Sequence, residues 1–180
     1  MTTNDNNERQ FVEAVRNGDI KAFAMLYERY YAIMVWLAYS ILLDRDLAED
    51  AAQQAFVTAW LKIADLRKPD RFGQWLATIC RNAAQGIVRD RKRVIALQNN
   101  AAIENSHVSD LNGFDKTVKN AIDSLTPMYR EVIALHYYNR MSYRQIESVL
   151  DISEHKVKGR LARARSKMEA YLKKNGFDRK

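Results

Sequence analysis

The sequence predicts an all-α chain: two small helical domains, the second a helix-turn-helix, joined by a flexible linker. Three observations carry this. The 180 residues include only 6 Gly and 2 Pro, too few of the breakers that sheet turns need. Apolar residues recur at steps of three and four over long runs, the spacing of a helix with one buried face. Between two such sets lies "VIALQNNAAIENSHVSDLNG", residues 94–113, rich in Asn and Ser and closing on Gly113. That composition reads as a linker, with room for a helical turn at its start. The domains expected are therefore residues 1–93 and 114–180.

The opening "MTTNDNNERQ" is polar and has no apolar core, so it is not expected to be a signal peptide. Asp19 is placed to cap a first helix whose stripe is Phe23, Leu26, Tyr27, Tyr30, Ile33, Met34, Leu37 and Ile41. Its most apolar run, residues 30–43, is too short for a membrane span and reads as a buried core helix. "DRDLAEDAAQQAFVTAWLKI" follows, with Asp46 and Glu49 in capping-box spacing. It buries Ala52, Ala55, Phe56, Ala59, Trp60 and Ile63 and shows Glu49, Asp50, Gln53 and Gln54 outward. "ADLRKPDRF" is a loop broken by Pro69. A third long helix turns Phe72, Trp75, Leu76, Ile79, Ala83 and Ile87 inward, with Arg81, Gln85, Arg89 and Lys92 or Arg93 recurring on another face.

Beyond the linker, "FDKTVKNAIDSL" groups Val118, Ala121, Ile122 and Leu125. Thr126–Pro127 then places a cap before proline at a first helical position, opening "PMYREVIALHYY". Ser142 and Gln145 form a capping box for a short helix held by Ile146, Val149 and Leu150. "DIS" makes a turn, Ile152 points inward, and Ser153 caps the last helix, whose stripe is Val157, Leu161, Ala164 and Met168. Lys156, Arg160, Arg163 and Lys167 fall on one flank of that helix, Lys158 and Arg165 on the other. His155, Gly159, Ala162 and Ser166 lie between them, away from the core. Small side chains let the helix axis approach a surface, and cations on both flanks meet two phosphate walls. This is the form of a helix-turn-helix recognition helix in a major groove.

Net charge is +7 and is unevenly placed. Residues 67–93 hold eight Lys/Arg against two Asp, and residues 153–180 hold ten against three acids. Two basic patches on a mildly acidic body suit an extended polyanion, nucleic acid, touched at two places. The single Cys80 excludes an intramolecular disulfide, fits a reducing cytoplasm, and sits beside the inward Ile79 as a packing residue. His107, His136 and His155 are scattered, with no Cys or carboxylate cluster near them, so neither a metal nor another cofactor is expected. No glycine-rich phosphate loop or nucleophile motif occurs, which leaves an enzyme without support.

Three motifs in order give a resemblance. "DLAEDAAQQAFVTAW", "RFGQWLATICRNAAQGIVRDRKR" and "LTPMYREVIALHYYNRMSYRQIESVLDISEHKVKGRLARARSKM" resemble the two conserved domains of bacterial sigma factors of the extracytoplasmic-function (ECF) type, over nearly the whole chain. The first domain is sigma region 2-like and the second region 4-like. The chain departs from the family pattern at Glu147, where a small residue is usual, at Asp151, where the turn has glycine, and at His155–Lys156, where a Gly-Thr pair is usual. These departures bear on promoter preference more than on fold.

The resemblance implies a non-catalytic cytoplasmic protein that recruits core RNA polymerase to promoters and opens the −10 DNA. Its implied partners are core polymerase, through the largest-subunit coiled coil and the flap, together with promoter DNA and an anti-sigma factor. It further implies polymerase contacts at Glu49, Asp50, Gln53, Gln54 and Val57. The −10 strand would be held by Arg67, Lys68, Arg71, Phe72, Arg81, Asn82 and Arg89. Phe72 and Trp75 suit base stacking, but their stripe position favours core packing. At the −35 element it implies His155, Lys156, Lys158, Gly159, Arg160, Ala162, Arg163 and Lys167. Two rivals fit the residues: a stand-alone helix-turn-helix regulator with a helical sensing domain, and a helical adaptor whose basic faces bind acidic proteins. Neither needs a polymerase contact on residues 46–57.

Overall fold

The computed structural model describes residues 3–97 and 116–177, so most of the expected linker lies outside the described residues. All regular structure described is helical: α1 (Thr3–Arg16), α2 (Ile20–Leu42), α3 (Arg45–Leu61), α4 (Phe72–Leu97), α5 (Lys116–Asp123), α6 (Pro127–Ile133), α7 (Tyr143–Leu150) and α8 (Glu154–Lys174). Helix α4 carries on past Arg93, where the sequence suggested the bundle would end.

Helices α1 to α4 form the first lobe. The Asp19 carboxylate accepts from the N–H groups of Lys21 and Ala22 and starts α2 as expected. Helix α2 ends at Leu43, whose left-handed backbone (φ 54°) folds the chain back so that α3 runs along it. The cap of α3 is Asp44, which accepts from Leu47 N at 3.1 Å. The expected capping box at Asp46 and Glu49 does not form. The helix begins two residues earlier, Asp46 lies within the first turn, and Glu49 is drawn to Arg45 at 2.9 Å. Ala48, Ala51, Ala52, Ala55 and Ala59 are all fully buried, and this smooth face lets α2 and α4 approach α3 closely. Leu26, Met34, Leu37, Phe72 and Leu76 fill the space between, each burial contributing about 1.5–3 kcal/mol. The loop from α3 to α4 is two 3-10 turns, Ile63–Asp65 and Pro69–Arg71.

The second lobe is α5 to α8. Pro127 occupies the first turn of α6, which loosens into a π turn over Ala134–Tyr138. The capping box on α7 is present: Gln145 N donates to Ser142 Oγ at 3.3 Å, and Ser142 N donates to Gln145 Oε1 at 2.8 Å. Asp151 stands in the left-handed region (φ 53°) at the turn, and Ser153 caps α8. Ile146, Val157, Leu161 and Ala164 are buried where α6 and α7 pack on α8.

The lobes meet along a seam where α2 packs on α6 and the π turn, and α4 packs on α7. Trp36 stacks on Tyr138 with centroids 4.0 Å apart. Tyr39 Oη donates to Asp123 Oδ1 at 3.4 Å, and Arg81 Nε donates to Glu131 Oε1 at 3.0 Å. Arg130 is buried at this seam, and its Nε and Nη1 have no hydrogen-bond partner among the described residues. That burial lowers its pKa, while Asp123 and Tyr39 oppose the shift.

Candidate nucleic-acid and polymerase interfaces

The outward face of α8 follows from its buried stripe. With Val157, Leu161 and Ala164 held against α6 and α7, helical spacing turns His155, Lys156, Lys158, Ala162, Arg163, Ser166 and Lys167 to solvent. Gly159 and Arg160 are partly covered. A Cβ added at Gly159 would meet nothing within 4 Å, so nothing inside the fold demands glycine there. The flanking cations are ordered: Lys158 pairs with Glu154 at 2.8 Å, Arg165 Nε donates to Tyr137 Oη at 2.8 Å, and Lys167 lies 5.9 Å from the Tyr129 ring centre. His155, Lys156, Gly159, Arg160 and Arg163 line a shallow recess of about 290 Å³. Met128 of α6 closes one side of it, a residue that sequence reasoning missed because it sits in another helix.

The second basic surface runs from the α3–α4 loop along α4. Arg67, Lys68, Arg71, Asn82 and Arg89 are exposed. Two assignments to it need correction. Phe72 is fully buried against Tyr30 and Trp75 and has no face left for a base. Arg81 is partly buried and already engaged by Glu131, so it does not join the others on the open face in this arrangement. Cys80 is buried, donates to Met34 O at 3.3 Å, and its thiol is pushed up to about 12 by desolvation, which makes it a packing residue without reactivity.

Asp50, Gln53, Gln54 and Val57 form an exposed strip on α3, opposite the alanine face, with Glu49 half-buried at its edge. The strip continues into Leu61, 74% exposed, and Trp60, 37% exposed, so its far end is apolar. Trp60 was expected inward; it lies across the rim with its ring against Phe23 at 5.0 Å. Leu61 lies one position off the buried stripe, which is the signal that could have found it.

A third feature is a groove of about 660 Å³ between α5, the π turn and the end of α8. Val118, Ile122, Met168, Leu172 and Phe177 line it. Among the described residues no group of His, Cys, Asp and Glu could hold a metal, and no helix is long and apolar enough to cross a membrane.

Comparison with known proteins gives these surfaces a context. Residues 26–94 match the model for Sigma-70 region 2, and residues 116–168 match that for Sigma-70, region 4. The chain belongs to the sigma-70 family. Among its relatives, the RNA polymerase sigma-H factor of Pseudomonas aeruginosa is 26% identical over 92% of this chain and 93% of its own. The ECF RNA polymerase sigma factor SigW of Bacillus subtilis is 28% identical over 90% and 95%. The sigma factor RpoE of Bartonella quintana, solved in complex with the anti-sigma factor NepR, superposes with a TM-score of 0.63. It is 26% identical, over 86% of this chain and 98% of its own. This chain is a sigma factor of the ECF type, acting with RNA polymerase in promoter-specific initiation of transcription. The stand-alone regulator is set aside, because region 2 occupies the part of the chain that a sensing domain would need.

Proposed function

We propose that the sigma factor divides its work among these surfaces. The exposed strip Glu49, Asp50, Gln53, Gln54 and Val57 docks on the coiled coil of the polymerase's largest subunit. A rigid helix face of acids and amides with an apolar end suits a basic, partly apolar partner helix. The α8 ridge enters the major groove of the −35 element, where Lys158 and Arg163 reach base edges and Lys167 holds phosphate. The exposed Arg67, Lys68, Arg71, Asn82 and Arg89 track the unpaired −10 strand. The groove between α5 and α8 seats the polymerase flap. By likeness to the RpoE–NepR complex, an anti-sigma factor is a further partner. The protein works in the cytoplasm and carries no catalytic step; the polymerase performs the chemistry. The observation that carries the reading is the coexistence on one chain of a two-flanked basic ridge on α8 and an exposed polar strip on α3.

The test is the double variant Asp50→Lys, Gln54→Arg. Both residues are exposed, so helical circular dichroism and melting temperature should hold, while a like-charge contact in the dock costs several kcal/mol. The variant should fail to co-elute with core polymerase and fail in promoter-dependent run-off transcription. Transcription at the wild-type level would remove the polymerase contact from this face. The two-domain plan is tested separately: light proteolysis should cut first within residues 94–113.

A further inference from the structure

The polar N-terminal stretch, to which the sequence assigned no role, forms α1, and two of its side chains reach the α3–α4 loop from its two ends. Arg16 donates from Nε to the carbonyl oxygen of Ile63 at 3.4 Å, and from Nη2 to that of Leu66. Glu8, two turns earlier, accepts from the hydroxyl of Tyr30 and lies beside the backbone of Phe72 and Gly73. These two ends flank residues 67–71, which carry Arg67, Lys68 and Arg71. A carboxylate beside the first turn of α4 is also favoured by the helix dipole.

The Glu8 end of this arrangement is closely fitted. Glu8 is only 7% exposed, and burial raises its pKa while Tyr30, Arg29 and the nearby backbone of Gly73 and Phe72 oppose the shift. Tyr30 reaches it by passing over Gly73, where an added Cβ would stand 2.7 Å from the ring edge. Glycine at 73 is therefore a condition of the contact. Helix α1 also packs against both 3-10 turns of the loop.

We propose that α1 is a brace for the strand-capturing loop, with Glu8 and Arg16 as positioning residues that hold Arg67, Lys68 and Arg71 in register with the unpaired −10 strand. This rests on the reading of that loop as a −10 contact. A loop fixed at both borders presents its cations without ordering them at the moment of binding, so the brace acts on strand capture and leaves the −35 dock alone. Its loss should slow promoter opening with polymerase binding intact.

The experiment uses full-length protein assembled with core polymerase of the same source. The template is a promoter fragment recovered from that source's genomic DNA by run-off with wild-type holoenzyme. Permanganate reactivity of unpaired thymines reads opening; co-elution and thermal melting read assembly and stability. Arg16→Ala and Glu8→Ala should each slow opening about tenfold or more, as misplaced contact groups do. Glu8→Gln, whose amide oxygen still accepts from the Tyr30 hydroxyl, should open near the wild-type rate. Arg16 is exposed and its carbonyl partners can be hydrated, so Arg16→Ala decides the matter even if Glu8→Ala unfolds. Wild-type opening by Arg16→Ala, alongside slow opening by the triple variant Arg67→Ala, Lys68→Ala, Arg71→Ala, overturns the brace and leaves the loop reading standing. Wild-type opening by the triple variant overturns the loop reading and the brace with it. If Arg16→Ala loses melting temperature and co-elution in step with opening, α1 is a general stabiliser and the brace is wrong.

Discussion

The two basic surfaces of this sigma factor carry similar excess charge and hold it in different ways. Along α4 two cations are tied to acids far along the chain, while Arg89, Lys92 and Arg93 stay exposed: Arg91 reaches Asp44, the residue that caps α3, at 3.3 Å, and Arg81 crosses the seam to Glu131. Along α8 the cations point outward, paired one turn away on their own helix, as Lys158 with Glu154 and Lys173 with Glu169, or lying over the rings of Tyr137 and Tyr129. The cause is packing. Helix α4 packs on α2 and α3 of its own lobe and on α7 across the seam, whereas α8 packs only on α5, α6 and α7 of its own lobe and leaves its basic ridge to solvent. Charge counted along a sequence therefore overstates what a polyanion can reach wherever a helix is enclosed.

The strongest way to break this contrast is to loosen the one-sided helix. Leu161 is 1% exposed, and Leu161→Ala should remove about 2–5 kcal/mol of stability, read by thermal unfolding, together with −35 duplex binding. Intact duplex binding would mean that the ridge does not depend on its buried stripe. Next in size, Arg163→Ala should lose about 1–3 kcal/mol of affinity for the preferred −35 sequence and relax selection at one base pair. Arg91→Ala, tied to Asp44, should leave duplex binding unchanged in the same titration. A double-mutant cycle of Arg81→Gln and Glu131→Gln should show a coupling of about 1 kcal/mol in stability; no coupling would return Arg81 to the open face. The smallest change expected is in salt dependence: Lys167→Ala should weaken duplex binding evenly across sequences and flatten the slope by about one unit.

What could be read in the sequence was what repeats locally. The stripes of α2, α3, α4 and α8, the cap at Asp19, the capping box at Ser142 and Gln145, and the outward Asp50–Gln54 strip all follow from spacing along one helix. What was missed depends on partners far along the chain. Arg81 and Glu131 are 50 residues apart, and no local pattern distinguishes that arginine from the exposed Arg89. Helix α1 is polar along most of its length and is held by Val12, Val15 and Glu8 through tertiary contacts. Phe72 sits at a loop–helix border, where its spacing favoured the core while the family resemblance placed it on the −10 strand, and its enclosure by Tyr30 and Trp75 agrees with the spacing. The capping acid of α3 was misplaced because Asp44 and Asp46 both precede the apolar run.

Arg130 marks the point of the seam where water competes with packing. Two of its nitrogens are buried without a hydrogen-bond partner among the described residues, and each such deficit costs about 1–3 kcal/mol that water would restore on entry. The Trp36–Tyr138 stack and the Arg81–Glu131 pair favour the closed seam. Amide exchange in α6 and the π turn should then outpace exchange in the alanine-faced α3, where no comparable deficit invites solvent.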